Sequence, residues 1–113
     1  MKIINTPNAP QPKGAPYSQG IVAGNFIFTA GQIHLTPDGK LVAGSIETKT
    51  HQVMTNLQAI LKTAGATFAD VIKTTIYVTD MSTYGKVNAV YGSYFKTNFP
   101  ARETVCVQSL PLN

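Results

Sequence analysis

Arg102 is the only arginine among the 113 residues, and it directly follows Phe99-Pro100-Ala101. A planar guanidinium grips a carboxylate through two parallel hydrogen bonds, a geometry that a lysine ammonium cannot copy. The same side chain can equally form an ordinary surface ion pair with a neighbouring acid, and position alone leaves both readings open. Other chemistry-bearing residues offer less. His34 and His51 fall on different elements, and there is no second cysteine, so a metal site is not expected. Each histidine reads as a surface or capping residue. Cys106 alternates with Thr104 and Gln108 and reads as a packed thiol rather than a nucleophile. No GxxxxGK or GxGxxG run is present to cradle a phosphate.

The elements that must position Arg102 follow from the chain's periodicity. Prolines 7, 10, 12 and 16 make the N-terminal arm extended or turning rather than helical. Ser18–Ala23 and Asn25–Gln32 read as strands across a Gly24-Asn25 turn, the second rich in strand formers. Thr36-Pro37-Asp38-Gly39 is a turn, with a short strand expected at Leu41-Val42. A helix is expected from an N-cap at Ser45 to a stop at Gly65. Its apolar stripe is Ile46, Val53, Met54, Leu57, Ile60, Leu61 and Ala64. Val71–Thr79 alternates as a strand. Asp80, Ser82 or Thr83 caps a second helix with the stripe Tyr84, Val87, Val90, Tyr91, Tyr94 and Phe95. Gly85 and Gly92 weaken it by about 1 kcal/mol each. Thr104–Gln108 reads as the last strand.

This order predicts an α+β fold, each helix a right-handed crossover and both on one face of a mixed sheet. The other face then carries Thr, Tyr, Val and Phe, which self-association would cover.

Bulk properties set the limits. The length suits one domain. Charged residues make up 12% of the chain, so much of its surface is neutral. The formal charge of +4 comes from lysines scattered singly, which speaks against nucleic-acid binding. A lone cysteine fits a reducing compartment, and Met1–Pro12 has no apolar core of a signal peptide. The uncharged stretch Gly14–Pro37 is broken by Gln19, Asn25, Gln32 and glycines, so a membrane span is not expected. A soluble, cytoplasmic protein is the expectation.

Four blocks then stand out in order: Gly14-Ala15-Pro16-Tyr17-Ser18-Gln19-Gly20, Thr29-Ala30-Gly31-Gln32-Ile33, Val87-Asn88-Ala89-Val90-Tyr91 and Phe99-Pro100-Ala101-Arg102. Together they resemble the Rid/YjgF family, and within it the RidA-like 2-iminobutanoate/2-iminopropanoate deaminases, along nearly the whole chain. The resemblance implies a chorismate-mutase-like α+β subunit, trimerised so that three sheets form a central barrel with clefts between adjacent subunits. It implies that Arg102 holds the substrate carboxylate, that Tyr17 lines the cleft, that the Gly31 amide binds the carboxylate and that Asn88 supports the pocket.

The chain departs from the pattern at three places. Ala30 stands where the family has serine, and Thr104 where it has cysteine. The family's last strand, with its water-positioning glutamate, is not found before Asn113. The implied activity is hydrolysis of 2-imino acids to 2-keto acids and ammonia, without metal or organic cofactor, with the backbone carbonyl near Thr104 orienting water. The alternative is a non-catalytic trimer that binds small carboxylates as a regulator. A ribonuclease label, carried by some relatives of this type, finds no support beyond the net charge.

Overall fold

The computed structural model describes residues 1–112. Asn113, where the expected single domain ends, lies outside them. Strands β1 (Lys2–Ile4), β2 (Gly20–Ala23) and β3 (Phe26–Thr29) precede helix α1 (Ile46–Thr63). Strand β4 (Lys73–Val78), helix α2 (Tyr84–Gly92) and strand β5 (Ala101–Cys106) complete the order. The α+β reading and its alternation therefore hold. Strands β2, β3 and β4 are shorter than expected, β5 runs over Ala101–Cys106 rather than Thr104–Gln108, and β1 is an addition. Because the arm's prolines begin only at position 7, Lys2–Ile4 remain free to pair, antiparallel, with β2.

The expected single mixed sheet is instead two ladders. One is antiparallel, in the order β1-β2-β3; the other is the parallel pair β4-β5, with α2 as its crossover. Leu41 makes only an isolated bridge to Leu35 rather than a strand.

Helix α1 forms where its caps and stripe place it. The Ser45 side chain accepts from the Thr48 amide at the start. At the end, Gly65 adopts φ +83°, its amide reaching the Lys62 carbonyl while that of Ala66 reaches Leu61. That pairing is a Schellman motif. Ile60, fully buried, packs with Ile4 and Ala9. A Cβ at Gly20 would come within 3.0 Å of the Ile60 side chain, so β2 meets α1 through a glycine. Met54 carries the second cluster, with Tyr91 and Phe95 of the α2 region. Helix α2 stops at Gly92, yet Tyr94 and Phe95 beyond it still pack inward.

The outward faces of the ladders carry apolar rows, beside the Lys73–Glu103 pair on the β4-β5 face. Ile3, Ile21 and Phe28 form one cross-strand row, Tyr77 and Val105 another, and Ile3, Phe28 and Tyr77 are each more than half exposed. No helix among the described residues is long and apolar enough to cross a membrane.

The N-terminal arm is clamped by one buried amide. Gln19 Oε1 accepts from the Thr6 amide at 2.7 Å, and its Nε2 donates to the carbonyls of Thr6, Ala9 and Pro10. Replacing it by Leu leaves the Thr6 amide and the Pro10 carbonyl unpaired, while the carbonyls of Thr6 and Ala9 keep Gln11 Nε2. Urea unfolding of Gln19→Leu should show a loss of about 2–4 kcal/mol.

Candidate functional site

Tyr84, Asn88 and Tyr91 recur at four- and three-residue spacing, so α2 presents them on one stripe. On β5, Arg102 stands directly across from Thr74 of β4. Alternation along these strands sends Thr74 and Arg102 toward α2, while Thr75 and Glu103 face the other way. The two elements meet in a compact polar and aromatic arrangement. Arg102 Nη1 donates to Asn88 Oδ1 at 2.7 Å and Nη2 to the Tyr84 hydroxyl at 2.9 Å. Its guanidinium carbon lies 5.5 Å from the Tyr84 ring centre and 5.2 Å from that of Tyr91, within cation–π range. Tyr91 is buried, and its hydroxyl is fixed 2.7 Å from Thr74 Oγ1.

The surface ion pair left open for Arg102 does not form. Among the described residues its hydrogen-bond partners are neutral, and no carboxylate lies within salt-bridge distance. Glu103, its sequence neighbour, sits on the opposite face, bonded by the Thr75 hydroxyl and paired with Lys73 at 3.0 Å. The guanidinium is thus oriented but not neutralised, and three of its five N–H donors remain beyond those used.

Beside it lies a cavity of about 310 Å³, lined by Asn88, Tyr91, Gly92, Phe99, Pro100 and Arg102. One cationic group in an otherwise largely apolar wall suits a small organic anion. A larger hollow of about 830 Å³ runs along α1 past Asn8, Lys62 and Phe68, and it contains none of the expected site residues. No cluster of His, Cys, Asp or Glu that could hold a metal occurs among the described residues.

Of the residues marked out in the sequence, Arg102 and Asn88 are brought together. Tyr17, Ala30, Gly31 and Thr104 do not line this cavity. Tyr17 is nearly half exposed, the Ala30 amide bonds the Gln19 carbonyl, and Gly31 has open space where a side chain would be. Thr104 lies two residues beyond Arg102 on the same strand face, and its hydroxyl is buried with no hydrogen-bond partner among the described residues. Cys106 is exposed rather than packed, because β5 ends at it. Tyr84, Gly92 and Phe99 were not marked out as site residues; the spacing of 84, 88 and 91 was the available signal.

The match to known proteins runs along the same chain. Residues 6–113 match the family model described as Endoribonuclease L-PSP. The chain belongs to the YjgF/Rid family. It is 50% identical to a RutC family protein of Pyrococcus horikoshii, over 97% of this chain and 87% of the relative. It is 40% identical to the Homo sapiens 2-iminobutanoate/2-iminopropanoate deaminase, over 97% of this chain and 80% of the relative. The structure of E. coli TdcF with bound serine superimposes with a TM-score of 0.93 at 35% identity, covering 99% of this chain and 90% of that one. Membership in the YjgF/Rid family accounts for the small α+β fold with two helices, and relatives named deaminases associate the family with enzymatic activity.

The Glu103 carboxyl is held below the usual carboxylate range, first by the Thr75 hydroxyl and then by the Lys73 ammonium. A depressed folded-state pKa adds stability above the unfolded value, and that stability is lost as pH falls through the folded value. An NMR titration should place the Glu103 midpoint below the ordinary carboxylate value, and Thr75→Val should move it upward.

Proposed function

We propose that this chain hydrolyses 2-imino acids to 2-keto acids and ammonia, with the cavity beside Arg102 receiving the substrate carboxylate. The observation that carries the reading is the guanidinium itself, fixed by Asn88 and Tyr84, flanked by two aromatic rings and paired with no acid. The family relative named for this reaction supports the same assignment.

In the reaction, a water oxygen adds to the imine carbon while the nitrogen gains a proton. The resulting carbinolamine expels ammonia and leaves the keto group. Holding the carboxylate and fixing the approach of water lowers the entropic barrier, and aligned donors stabilise the adduct. Asn88 holds the guanidinium, and a backbone carbonyl near Thr104 orients the water. Neither metal nor organic cofactor takes part.

Tyr17, Ala30 and Gly31 join the cleft in a homotrimer, supplied by an adjacent copy whose apolar strand faces pack into a central barrel. The exposed rows around Ile3, Phe28 and Tyr77 support this assembly. A cytoplasmic setting agrees with the single exposed thiol.

A second reading, a non-catalytic carboxylate-binding regulator, draws on one observation. No Asp or Glu lines the cavity, and Glu103 is committed to the opposite face. Saturable binding of 2-ketobutyrate without acceleration of imine decay would decide for it.

Arg102→Ala should fold normally and lower kcat/KM for 2-iminobutanoate, generated in situ by an amino-acid oxidase, by about a hundredfold or more. Arg102→Lys should recover only part of the loss. An unchanged rate in Arg102→Ala overturns the assignment.

Thr104→Val removes a buried hydroxyl that has no protein partner. Chemical denaturation should therefore show unchanged stability or a gain of up to about 1 kcal/mol. Meanwhile kcat and KM should stay near wild type, because the backbone carbonyl that orients the water is left in place.

A further inference from the structure

The cavity beside the guanidinium is lined by a glycine that the backbone does not require. Gly92 is the last residue of α2, two positions before the place where a helix end ordinarily uses glycine for its left-handed conformation. Gly92 does not adopt positive φ; that role in the first helix falls to Gly65. Nor is it excluding a clash. A Cβ built at Gly92 would meet only Phe99 Cε1, at an ordinary contact distance of 3.9 Å. Alanine would therefore fit and would favour the helix by about 0.5–1 kcal/mol. Gly85, the other glycine of α2, sits on the exposed side of the helix, whereas Gly92 is half-buried and lines the cavity. What Gly92 provides is space between the helix and the Phe99 ring.

That space is flanked by apolar groups, with the Phe99 ring largely exposed beside it. Phe99 packs toward Phe95, with ring centres 6.2 Å apart, and Phe95 in turn packs on Tyr91 at 4.9 Å. Pro100 closes the wall next to Arg102. A ligand whose carboxylate is on Arg102 directs its remaining atoms onto these rings, because the other lining residues offer it few polar partners.

Resting on the carboxylate role of Arg102 given above, we propose that Gly92 and Phe99 form the side-chain subsite, and that the missing side chain at Gly92 sets how large an aliphatic substituent the substrate carries. The subsite takes 2-imino and 2-keto acids with unbranched or branched aliphatic chains and excludes those with charged ones. One added methyl in such a wall changes discrimination by about tenfold or more.

The test compares wild type, Gly92→Ala and Phe99→Ala, each as the full chain, on 2-iminopropanoate and 2-imino-4-methylpentanoate. Equilibrium binding of the two corresponding 2-keto acids is measured alongside by calorimetry. Gly92→Ala should lower the ratio of kcat/KM for the larger to the smaller substrate by about tenfold, while raising Tm. Phe99→Ala should move that ratio the opposite way. Equal effects of Gly92→Ala on both substrates, or none, overturn the inference, and so does a ratio that Phe99→Ala leaves unmoved.

The two readings fail separately. If the wild-type chain accelerates no imine but binds the keto acids through Arg102, the catalytic reading falls and the binding ratios still judge Gly92. If neither acid binds, both are overturned.

Discussion

A guanidinium held in place without a counter-charge organises this molecule. Desolvating a cation is costly unless its donors are satisfied, and here two of them are satisfied by neutral oxygens from α2. The Tyr84 and Tyr91 rings add cation–π attraction on the flanks. Such a group is oriented at the cost of folding and keeps its full charge for an incoming anion. A carboxylate partner in the protein would have consumed the same donors and left nothing to recognise a ligand.

The surrounding fold is arranged to keep acids away. Parallel pairing of β4 with β5 fixes Thr74 opposite Arg102 and Thr75 opposite Glu103. Because side chains alternate, one register sends the cation toward the helices and its neighbouring acid outward to Lys73. A slip of one residue would exchange them and bring Glu103 under α2. The buried Tyr91 hydroxyl on Thr74 ties helix to strand at that point, so register and site geometry depend on each other.

Packing elsewhere serves the same end by different means. Gln19 turns a proline-rich arm into a fixed cover for the first cluster, and Gly20 lets α1 approach β2 closely. The helices are thereby positioned from one side only. The other side of each ladder presents an exposed apolar row, around Ile3 and Phe28 on one and Tyr77 and Val105 on the other, a surface more comfortable against protein than against water.

Much of this was legible in the residues themselves. The Ser45 cap, the Gly65 stop and the stripe through Ile60 defined α1, because caps and periodicity are local properties. Arg102 stood out as a solitary guanidinium, and blocks of sequence pointed to the family. Strand ends were less legible, since ladder hydrogen bonds depend on partners distant in the chain; β1 and the splitting of the sheet into two ladders were not visible for that reason. Whether Arg102 met an acid, which way Glu103 faced, and that Tyr84 and Gly92 joined the site were decided only when β5 was laid beside β4 and under α2. Local sequence determines what each segment is. The pairing of segments determines which side chains share a cavity, because direction and distance between remote residues are properties of the assembled chain.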